Sequence, residues 1–451
     1  MARTDIMFGS GDFARKRAAE MADSTVNRTL GSVELARLKM LQGDFAGSSA
    51  ILAPQIDELF TETELGPVLK KGAIAGNVLA GTVGDDRAIP YELPAYEMLF
   101  GLQYQALNSL FLGEQDNARV YLRRATSVQE QLKEEKAEQP ESSADASDSE
   151  ADGTIAENSA EQNVKNADEA AGQIAAKLSP VADAVRSSYE NALVWYLMGL
   201  FLSKEDDSGN AEIAYREAGK ICPAIMQLAN PPPGEGRDVI VIYEEDLVDM
   251  REPIKIPLPF GGTVWSVDFP VYNAPARMPS QVAVEVGGKL SAMCVPAVNV
   301  QALAYRDLRD RIPGIAMRNV TRAAVKIAAQ QVANHVNTGS AADVVLMAGV
   351  LAYNAISTAV SEADTRAWQT LPEHVQIARL RIPPGQNCVT LRNPSTGRSC
   401  EIAIPAEPSG TAAHIVWVTD VRGFATAGVV TVGGSAVARP TWSRTVSLLH
   451  P

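Results

Sequence analysis

The most constraining feature of this sequence is a pair of short helical segments whose small, aromatic and proline residues recur at fixed spacings. The first segment contains Trp195-Tyr-Leu-Met198-Gly199, and the second carries Ala211, Tyr215 and Ala218 before Pro223. Glycine and alanine let two antiparallel helices approach closely, and aromatic rings fill the space beside them. Proline lacks an N–H donor and ends the second helix. A tight helical hairpin is predicted from seven packing residues: Trp195, Met198, Gly199, Ala211, Tyr215, Ala218 and Pro223.

This spacing is typical of the tetratricopeptide repeat (TPR), whose helical hairpins stack into an α-solenoid. Two weaker hairpins are predicted before it. One joins residues 35–41 to 46–52 and closes at Pro54, and the other joins 96–112 to a helix beginning at Asn117. A further helix is expected over 65–79. The sequence therefore predicts a TPR-like helical domain at residues 1–229.

A strongly acidic segment interrupts this helical part. Twelve acidic residues stand against two lysines between Glu134 and Glu169, which accounts for ten of the fourteen net negative charges. Residues 133–166 carry few apolar side chains, so ordering them would not offset the loss of conformational entropy. We predict a disordered acidic insert at 133–166. Two hypotheses stay open for it: a solvated spacer, which the composition favours, and an acidic docking segment.

A proline-rich junction follows the helices. Asn230-Pro-Pro-Pro-Gly-Glu-Gly236 stiffens the backbone and excludes a helix, so we place a linker at 230–236. Beyond it, alternating apolar residues predict strands at 238–243, 254–259, 264–271, 282–286 and 289–295. Helices are then predicted at 300–311, 316–335 and 341–363, and strands at 375–382, 387–391, 400–404 and 415–421. The expected fold is an α-solenoid, then an α+β domain at 237–385 and a small terminal β module at 386–451.

Length and charge limit the classes of partner. A chain of 451 residues exceeds what one hydrophobic core usually holds, so two or three domains are expected. Outside the acidic segment only four net negative charges remain. A nearly balanced surface favours neither nucleic acid nor an anionic membrane, and no nucleic-acid partner is expected.

The four cysteines contain no Cys-x-x-Cys pair, which argues against a zinc ribbon. Cys388 and Cys400 flank a segment that predicts two strands joined by a turn at 394–397. Facing strands can bring two sulfurs together, so Cys388 and Cys400 are a candidate disulfide. Two half-buried free thiols are an equally open alternative. No metal site and no cofactor is expected.

No export signal is visible in the sequence. Residues 1–17 are polar and contain no apolar stretch like that of a signal peptide. Two locations stay open: the cytoplasm, or an exported location reached after removal of a signal. The longest apolar run, 344–360, lies at the lower length limit of a membrane span and contains Asn354, Ser357 and Thr358. We expect a helix buried in protein there, and no transmembrane span.

Residues with catalytic potential are scattered, and no known catalytic motif occurs among them. The best constellation is Asp364, Arg366 and His374, in which Asp364 would orient His374 as a general base. The favoured alternative is a structural ion pair between Asp364 and Arg366 at a helix end.

A basic stripe is the second candidate site. Arg318, Arg322 and Lys326 repeat every four residues and share one helix face. Such a stripe suits a phosphate or a glycan chain. The favoured alternative is a solvated stripe paired with nearby acids.

Several segments together carry a family resemblance. They are Ala118-Arg-Val120 with Arg123-Arg124, Val239-Ile-Val-Ile-Tyr-Glu244, the helix from Arg318 to Lys326, and Ala363-Asp-Thr-Arg-Ala-Trp-Gln-Thr-Leu-Pro372 running into 375–381 and the turn 383–386. The chain resembles uncharacterised bacterial envelope proteins, often lipoproteins, that join a TPR-like half to a C-terminal α+β region. It departs from them in lacking a lipid-attachment cysteine at its start and in its long acidic insert. The resemblance implies export and envelope association, and some relatives are thought to be encoded near lipoproteins that activate peptidoglycan synthases.

The expected function is a non-enzymatic scaffold or adaptor of the bacterial cell envelope, which binds a partner protein in a TPR-like groove. Its expected location is the periplasm or the outer membrane, with the cytoplasm as the alternative, and its expected partners are envelope or peptidoglycan-associated proteins. The alternative function is a hydrolase or glycan-binding enzyme with a site around Asp364 to His374. The sequence indicates neither the partner nor the oligomeric state.

Overall fold

The computed structural model describes residues 11–63, 66–70, 87, 89–138, 154–260, 263–335, 362–405, 412–421, 424–433 and 441–445. Helices fill the N-terminal half and mixed sheets the C-terminal half, which confirms the predicted α+β layout. The helices are α1 (Asp12–Ala22), α2 (Arg28–Met40), α3 (Phe45–Asp57), α4 (Ala95–Phe111), α5 (Gln115–Glu138), α6 (Thr154–Ala182), α7 (Ala192–Lys204), α8 (Ser208–Ile221) and α9 (Val300–His335), with a 3₁₀ helix at Pro223–Leu228. Among these residues, no helix is both long and apolar enough to cross a membrane.

The described strands belong to two larger sheets and two two-stranded hairpins. They are β1 (Phe60–Thr63), β2 (Gly66–Leu69), β3 (Arg237–Glu245), β4 (Glu252–Phe260), β5 (Thr263–Val271), β6 (Ala283–Val286), β7 (Lys289–Met293), β8 (Val295–Asn299), β9 (His374–Ile382), β10 (Cys388–Asn393), β11 (Arg398–Ala403), β12 (Ala413–Val421), β13 (Phe424–Val432) and β14 (Thr441–Thr445). The hairpins are β1–β2 and β4–β5.

Side-chain caps explain where several helices start. Asp44 accepts a hydrogen bond from the Gly47 N–H at the start of α3, and Asn191 accepts one from the Leu193 N–H at the start of α7. Each cap satisfies a backbone donor that the helix leaves without a partner. The hairpins α2–α3 and α4–α5 lie where the sequence predicted them. Pro54, which was predicted to close the first hairpin, lies inside α3. The helix continues to Asp57 and places Ile56 in the core.

A six-stranded sheet forms the centre of the molecule, in the order β14-β13-β12-β3-β9-β8. Strands β3 and β12 are parallel and the other neighbours are antiparallel. Every residue of β12 is buried, and β3 and β9 are buried along nearly their whole length. A strand with both faces covered reads as a continuous apolar run, which is the pattern of residues 239–243.

The two faces of this sheet pack against different layers. Ile240, Ile415 and Trp417 belong to a core shared with the helices, and α4 is buried along its whole length against this face. Val241 and Val416, on the opposite face, pack against a four-stranded sheet of order β11-β10-β6-β7. Helices, central sheet and small sheet are therefore three successive layers, and the apolar core does not divide at the 230–236 linker.

The strands of 386–451 do not form a module of their own. Strands β10 and β11 pair within the small sheet that also contains β6 and β7, whereas β12, β13 and β14 extend the central sheet from β3. The prediction of a separate terminal β module is therefore wrong. The cause is long-range pairing, since β12 lies parallel to a strand about 175 residues earlier, and local periodicity does not report such a partner.

Part of the predicted acidic insert is helical. Helix α5 continues to Glu138, and α6 begins at Thr154; the residues between them lie outside the described part. Helix α6 packs along α9 through a narrow stripe of small residues. The buried members follow the 3.6-residue period: Ala167, Ala170, Ala171, Ile174 and Leu178. Disorder was therefore wrongly predicted for 133–138 and 154–166, because these polar residues continue two helices whose buried residues lie on either side of the acidic segment.

Two other predictions differ from the structure, and a third concerns residues that are not described. The predicted helix at 65–79 begins instead with strand β2, and residues 71–79 lie outside the described part. The predicted helices 300–311 and 316–335 are one helix, α9, with Pro313 inside it. The predicted helix 341–363 and the apolar run 344–360 fall almost wholly outside the described residues.

Candidate functional site

Helices α7 and α8 form a closely packed hairpin around Gly199. A Cβ atom at this position would lie only 2.9 Å from the Tyr215 ring, so the two helices approach as far as glycine permits. The rings of Tyr196 and Tyr215 lie 5.4 Å apart in a tilted arrangement. Met198, Ala211 and Ala218 are buried within the same hairpin, and Pro223 starts the 3₁₀ helix after α8.

Trp195, the remaining residue of that set, lies at the edge of a groove. The groove has a volume of about 430 Å³ and is bounded by α5, α7, α8 and the loop before α7. Tyr189, Trp195 and Ile221 form its apolar part, with Ala137 exposed at one end. The volume of the groove and its aromatic side chains are typical of sites that bind ligands.

Charged side chains surround the aromatic part of the groove. Seven of them line it: Glu130, Lys133, Glu134, Arg186, Glu190, Glu217 and Lys220. Two local salt bridges neutralise part of this charge: Arg186 pairs with Glu190 at 3.3 Å, and Lys220 pairs with Glu217. Burial raises the pKa of Glu130, and the charges of Glu217 and Glu134 raise it further. The α5–α8 wall of the groove therefore carries an excess of negative charge.

Asp364 and Arg366 form a bidentate ion pair. The Arg366 Nε and Nη2 atoms lie 2.8 Å from the two carboxylate oxygens of Asp364. The same guanidinium donates to the Ile89 carbonyl at 3.0 Å and to the Asn27 side chain at 3.2 Å. Arg366 thus ties the segment before β9 to two loops of the helical half.

His374 lies apart from this pair, at the start of β9 and opposite Glu245. It is 3% exposed, and burial lowers its pKa, which favours the neutral imidazole. Its Nε2 atom has no hydrogen-bond partner among the described residues. Among the described residues, Asp364 accepts hydrogen bonds from Arg366 and none from His374, so the orienting contact that a general base would need is not formed.

A charged cluster that the sequence did not indicate surrounds His374. Arg277 bridges Glu373 and Asp249, at 2.6 and 2.8 Å. Burial raises the pKa of Glu373 to about 7 although Arg277 opposes the shift. Among the described residues, no group of three or more histidine, cysteine or acidic side chains is arranged to hold a metal ion.

Arg318 and Arg322 line a second cavity together with Asp364 and Arg366. The structure thus brings together two sets of residues that the sequence treated as separate candidates. Arg322 donates to the Asn319 side chain at 3.3 Å. The side chain of Lys326, the third member of the stripe, lies outside the described residues.

The predicted hairpin around residues 394–397 is present as β10–β11, but its cysteines do not face each other. Cys388 lies opposite Ala403, and Cys400 lies opposite Leu391. An offset of three positions points the two side chains to opposite faces of the sheet, since the side-chain period of a strand is two. Cys388 and Cys400 are not joined, so the candidate disulfide is wrong.

A fully buried ion pair among the described residues was also not predicted from the sequence. Arg37 of α2 and Glu244 of β3 form a salt bridge in which both side chains are 0% exposed. Tyr104 and Thr419 donate to the same carboxylate at 3.1 and 2.6 Å, and the Arg37 guanidinium lies 4.2 Å from the centre of the Tyr104 ring. The available signal was an acidic residue ending the apolar run 239–243, and nothing local pointed to Arg37.

Comparison of the chain with protein-family models, with curated proteins and with solved structures found no match.

Proposed function

We propose that this protein is a non-enzymatic scaffold or adaptor of the bacterial cell envelope. In this proposal the TPR-like hairpin α7–α8, together with α5, receives a segment of a partner protein in the groove beside Trp195. The envelope location and the association with envelope or peptidoglycan-associated partners rest on the sequence resemblance.

The observation that carries the proposal is the groove itself. Its aromatic part is enclosed by charged side chains, and protein interfaces commonly combine an apolar centre with a polar rim. Tryptophan and tyrosine are also enriched among the residues that contribute most to binding energy. Trp195 and Tyr189 are each only 8% exposed and are fixed by the surrounding side chains, so little ordering would be needed when a partner binds.

The charge of the groove indicates the chemistry of the occupant. Burial raises the pKa of Glu130, and the neighbouring charges of Glu217 and Glu134 add to this shift by repulsion. A lysine or arginine of the partner would relieve this repulsion, while an adjacent apolar side chain would pack on Trp195. We therefore propose a partner segment that carries a basic residue beside an apolar one.

The enzyme alternative receives less support. Its three residues are divided between the Asp364–Arg366 ion pair and the separate environment of His374. The arrangement of these residues does not favour a hydrolase at this position.

Site-specific photocrosslinking in the native organism tests the proposal. A photoreactive residue replaces Ala137, which is exposed and lines the groove. A matched control replaces Asn117, an exposed residue about 30 Å earlier along the same helix. We expect a discrete protein adduct from position 137 only.

Charge reversal then links the adduct to the groove. Glu217→Lys should reduce the adduct by about tenfold, which corresponds to 1.4 kcal/mol of binding free energy. Glu212→Lys, at an exposed position on the same helix and outside the groove, should preserve it. An adduct that forms equally from both positions, that survives Glu217→Lys, or that does not form at all contradicts the proposal.

A further inference from the structure

The cavity beside Arg318 is separate from the groove and has its own chemistry. Its volume is about 120 Å³, and it lies between α9, β5, the segment before α4 and the segment before β9. Five arginines line it: Arg251, Arg311, Arg318, Arg322 and Arg366. Such a concentration of guanidinium groups around one small cavity requires an explanation, because their mutual repulsion is unfavourable unless anions are near.

One face of α9 supplies three of the five arginines. Arg311, Arg318 and Arg322, with Ile315, follow spacings of four, three and four residues, which place side chains on a single helix face. The basic stripe predicted from the sequence therefore faces a cavity over at least part of its length.

Most carboxylates of the cavity already lie beside a cation. Four acidic residues line it, and Glu92 is exposed. The other three have neighbours of opposite charge: Asp364 pairs with Arg366 at 2.8 Å, Glu362 with Arg87 at 2.7 Å, and Asp268 lies directly across the β4–β5 hairpin from Lys255. These acids therefore do little to neutralise Arg251 and Arg311.

Arg251 and Arg311 share one carboxylate. Asp307 lies 3.6 Å from the Arg251 Nη2 atom and also pairs with Arg311. Two guanidinium groups thus share one carboxylate as their salt-bridge partner. Glu97 is also near, but among the described residues its carboxylate accepts hydrogen bonds from the Tyr91 and Tyr96 hydroxyls and the Trp368 N–H, and from neither guanidinium.

The Arg251 side chain is 5% exposed and retains an unused donor. Its Nε atom donates to the Tyr272 hydroxyl at 3.0 Å and its Nη1 atom to the Arg366 carbonyl at 3.0 Å. The buried Nη2 atom has no hydrogen-bond acceptor among the described residues, and neither does Arg311 Nε. A buried donor without an acceptor is unfavourable, so this part of the cavity suits an anionic acceptor.

We propose that this cavity binds the phosphate group of a small phosphate monoester. Guanidinium groups match the oxygens of a phosphate in pairs, and several arginines can share its multiple acceptors. A phosphate monoester carries nearly two negative charges at neutral pH, which suits two guanidinium groups that share a single carboxylate. The site is independent of the partner groove.

Titration calorimetry with inorganic phosphate and with glycerol phosphate tests this inference on the full chain, at constant ionic strength. Succinate serves as a carboxylate competitor of similar charge. We expect both phosphates to bind, with glycerol phosphate at least as tight, and succinate to bind at least about tenfold more weakly.

Two variants assign the binding to the cavity. Arg318→Gln and Arg311→Gln should each weaken phosphate binding by about tenfold or more, and Arg318→Lys should restore part of it. Arg392→Gln, at a 54% exposed position in the small sheet, is the matched control and should bind like the parent. Circular dichroism confirms that each variant is folded. Absence of phosphate binding, equal binding of succinate, or equal binding by the parent and the folded α9 variants overturns the proposal.

Discussion

At the residue scale, buried ion pairs join elements that lie far apart in the sequence. The Arg37–Glu244 pair joins a helix to the central sheet, and Arg379–Asp238 joins β9 to β3. In each case the guanidinium is also engaged by other groups, since Arg379 donates to the carbonyls of Leu228 and Ala229. The sequence identified neither pair, because the partners are 207 and 141 residues apart. It did identify Asp364 and Arg366, which are two residues apart.

The ion pair of Arg366 should contribute strongly to stability. Arg366→Ala would remove the guanidinium group that pairs with the Asp364 carboxylate and donates to the Ile89 carbonyl in a largely buried position. We expect a loss of about 3–5 kcal/mol in the free energy of unfolding. Arg392→Ala, which removes the partner of Glu285 at a 54% exposed position, should cost less than about 1 kcal/mol. Urea unfolding of both variants measures the difference, and equal losses would contradict a structural role for Arg366.

A second prediction concerns pH. Burial raises the pKa of Glu34 to about 7, although the Gln369 N–H donates to its carboxylate at 2.6 Å. Its contribution to stability is therefore fully present below the ordinary pKa of 4.5 and is lost as pH rises through about 7, because the folded state must then bury a charge. Glu34→Gln removes this penalty. The free energy of unfolding of the Glu34→Gln variant, relative to that of the parent, should rise by roughly 3 kcal/mol between pH 4.5 and pH 8.

Unfolding curves at several pH values check this prediction. The parent and the variant share Glu373, whose pKa is also raised to about 7, so the difference between them isolates Glu34. Glu20→Gln, at a 52% exposed position on α1, should follow the parent at every pH. A constant difference between Glu34→Gln and the parent across this range would show that Glu34 is not buried as described.

At the element scale, helices and strands were predicted correctly where the apolar residues of a segment follow a single helical or strand period. Helices α4 and α7 and strands β3, β5 and β9 follow clear apolar patterns, and the structure places them within a few residues of the prediction. The prediction failed at 154–166, where α6 begins ahead of its buried alanines, and between residues 311 and 316, where two helices were predicted and α9 instead continues through Pro313 along α6. Strand β8 was missed because it is five residues long and runs directly into α9.

The close packing of α7 on α8 gives a prediction at this scale. Gly199→Ala would place a Cβ atom 2.9 Å from the Tyr215 ring, and overpacking of this kind typically costs about 1–3 kcal/mol. Gly172→Ala is the matched control, since Gly172 is a helical glycine of α6 with no atom within 4 Å of the added Cβ. There we expect a gain of about 0.5–1 kcal/mol from reduced freedom of the unfolded chain. Thermal melts of both variants should move in opposite directions, and destabilisation by both would argue against this packing.

At the scale of the whole molecule, the order of helices and strands could be predicted from the sequence, but the core that they share could not. Composition and length suggested two or three domains, and the proline-rich linker suggested where the first one ends. The structure instead packs α4 against Trp417 of β12 and Trp368 before β9, so the helices complete the core of the sheet. Such contacts depend on which apolar faces meet, and a single sequence specifies the faces without specifying their partners.

Helices and central sheet share one core, which holds the groove and the arginine-lined cavity in fixed positions. Unfolding of the fragment 1–229 measures how far the helices depend on the sheet, because this fragment would expose the face of α4 that Trp417 covers. Urea titrations followed by circular dichroism should show one cooperative transition for the full chain and none of comparable cooperativity for the fragment. A fragment that unfolds cooperatively, with the helix content of the same region in the full chain, would contradict the shared core.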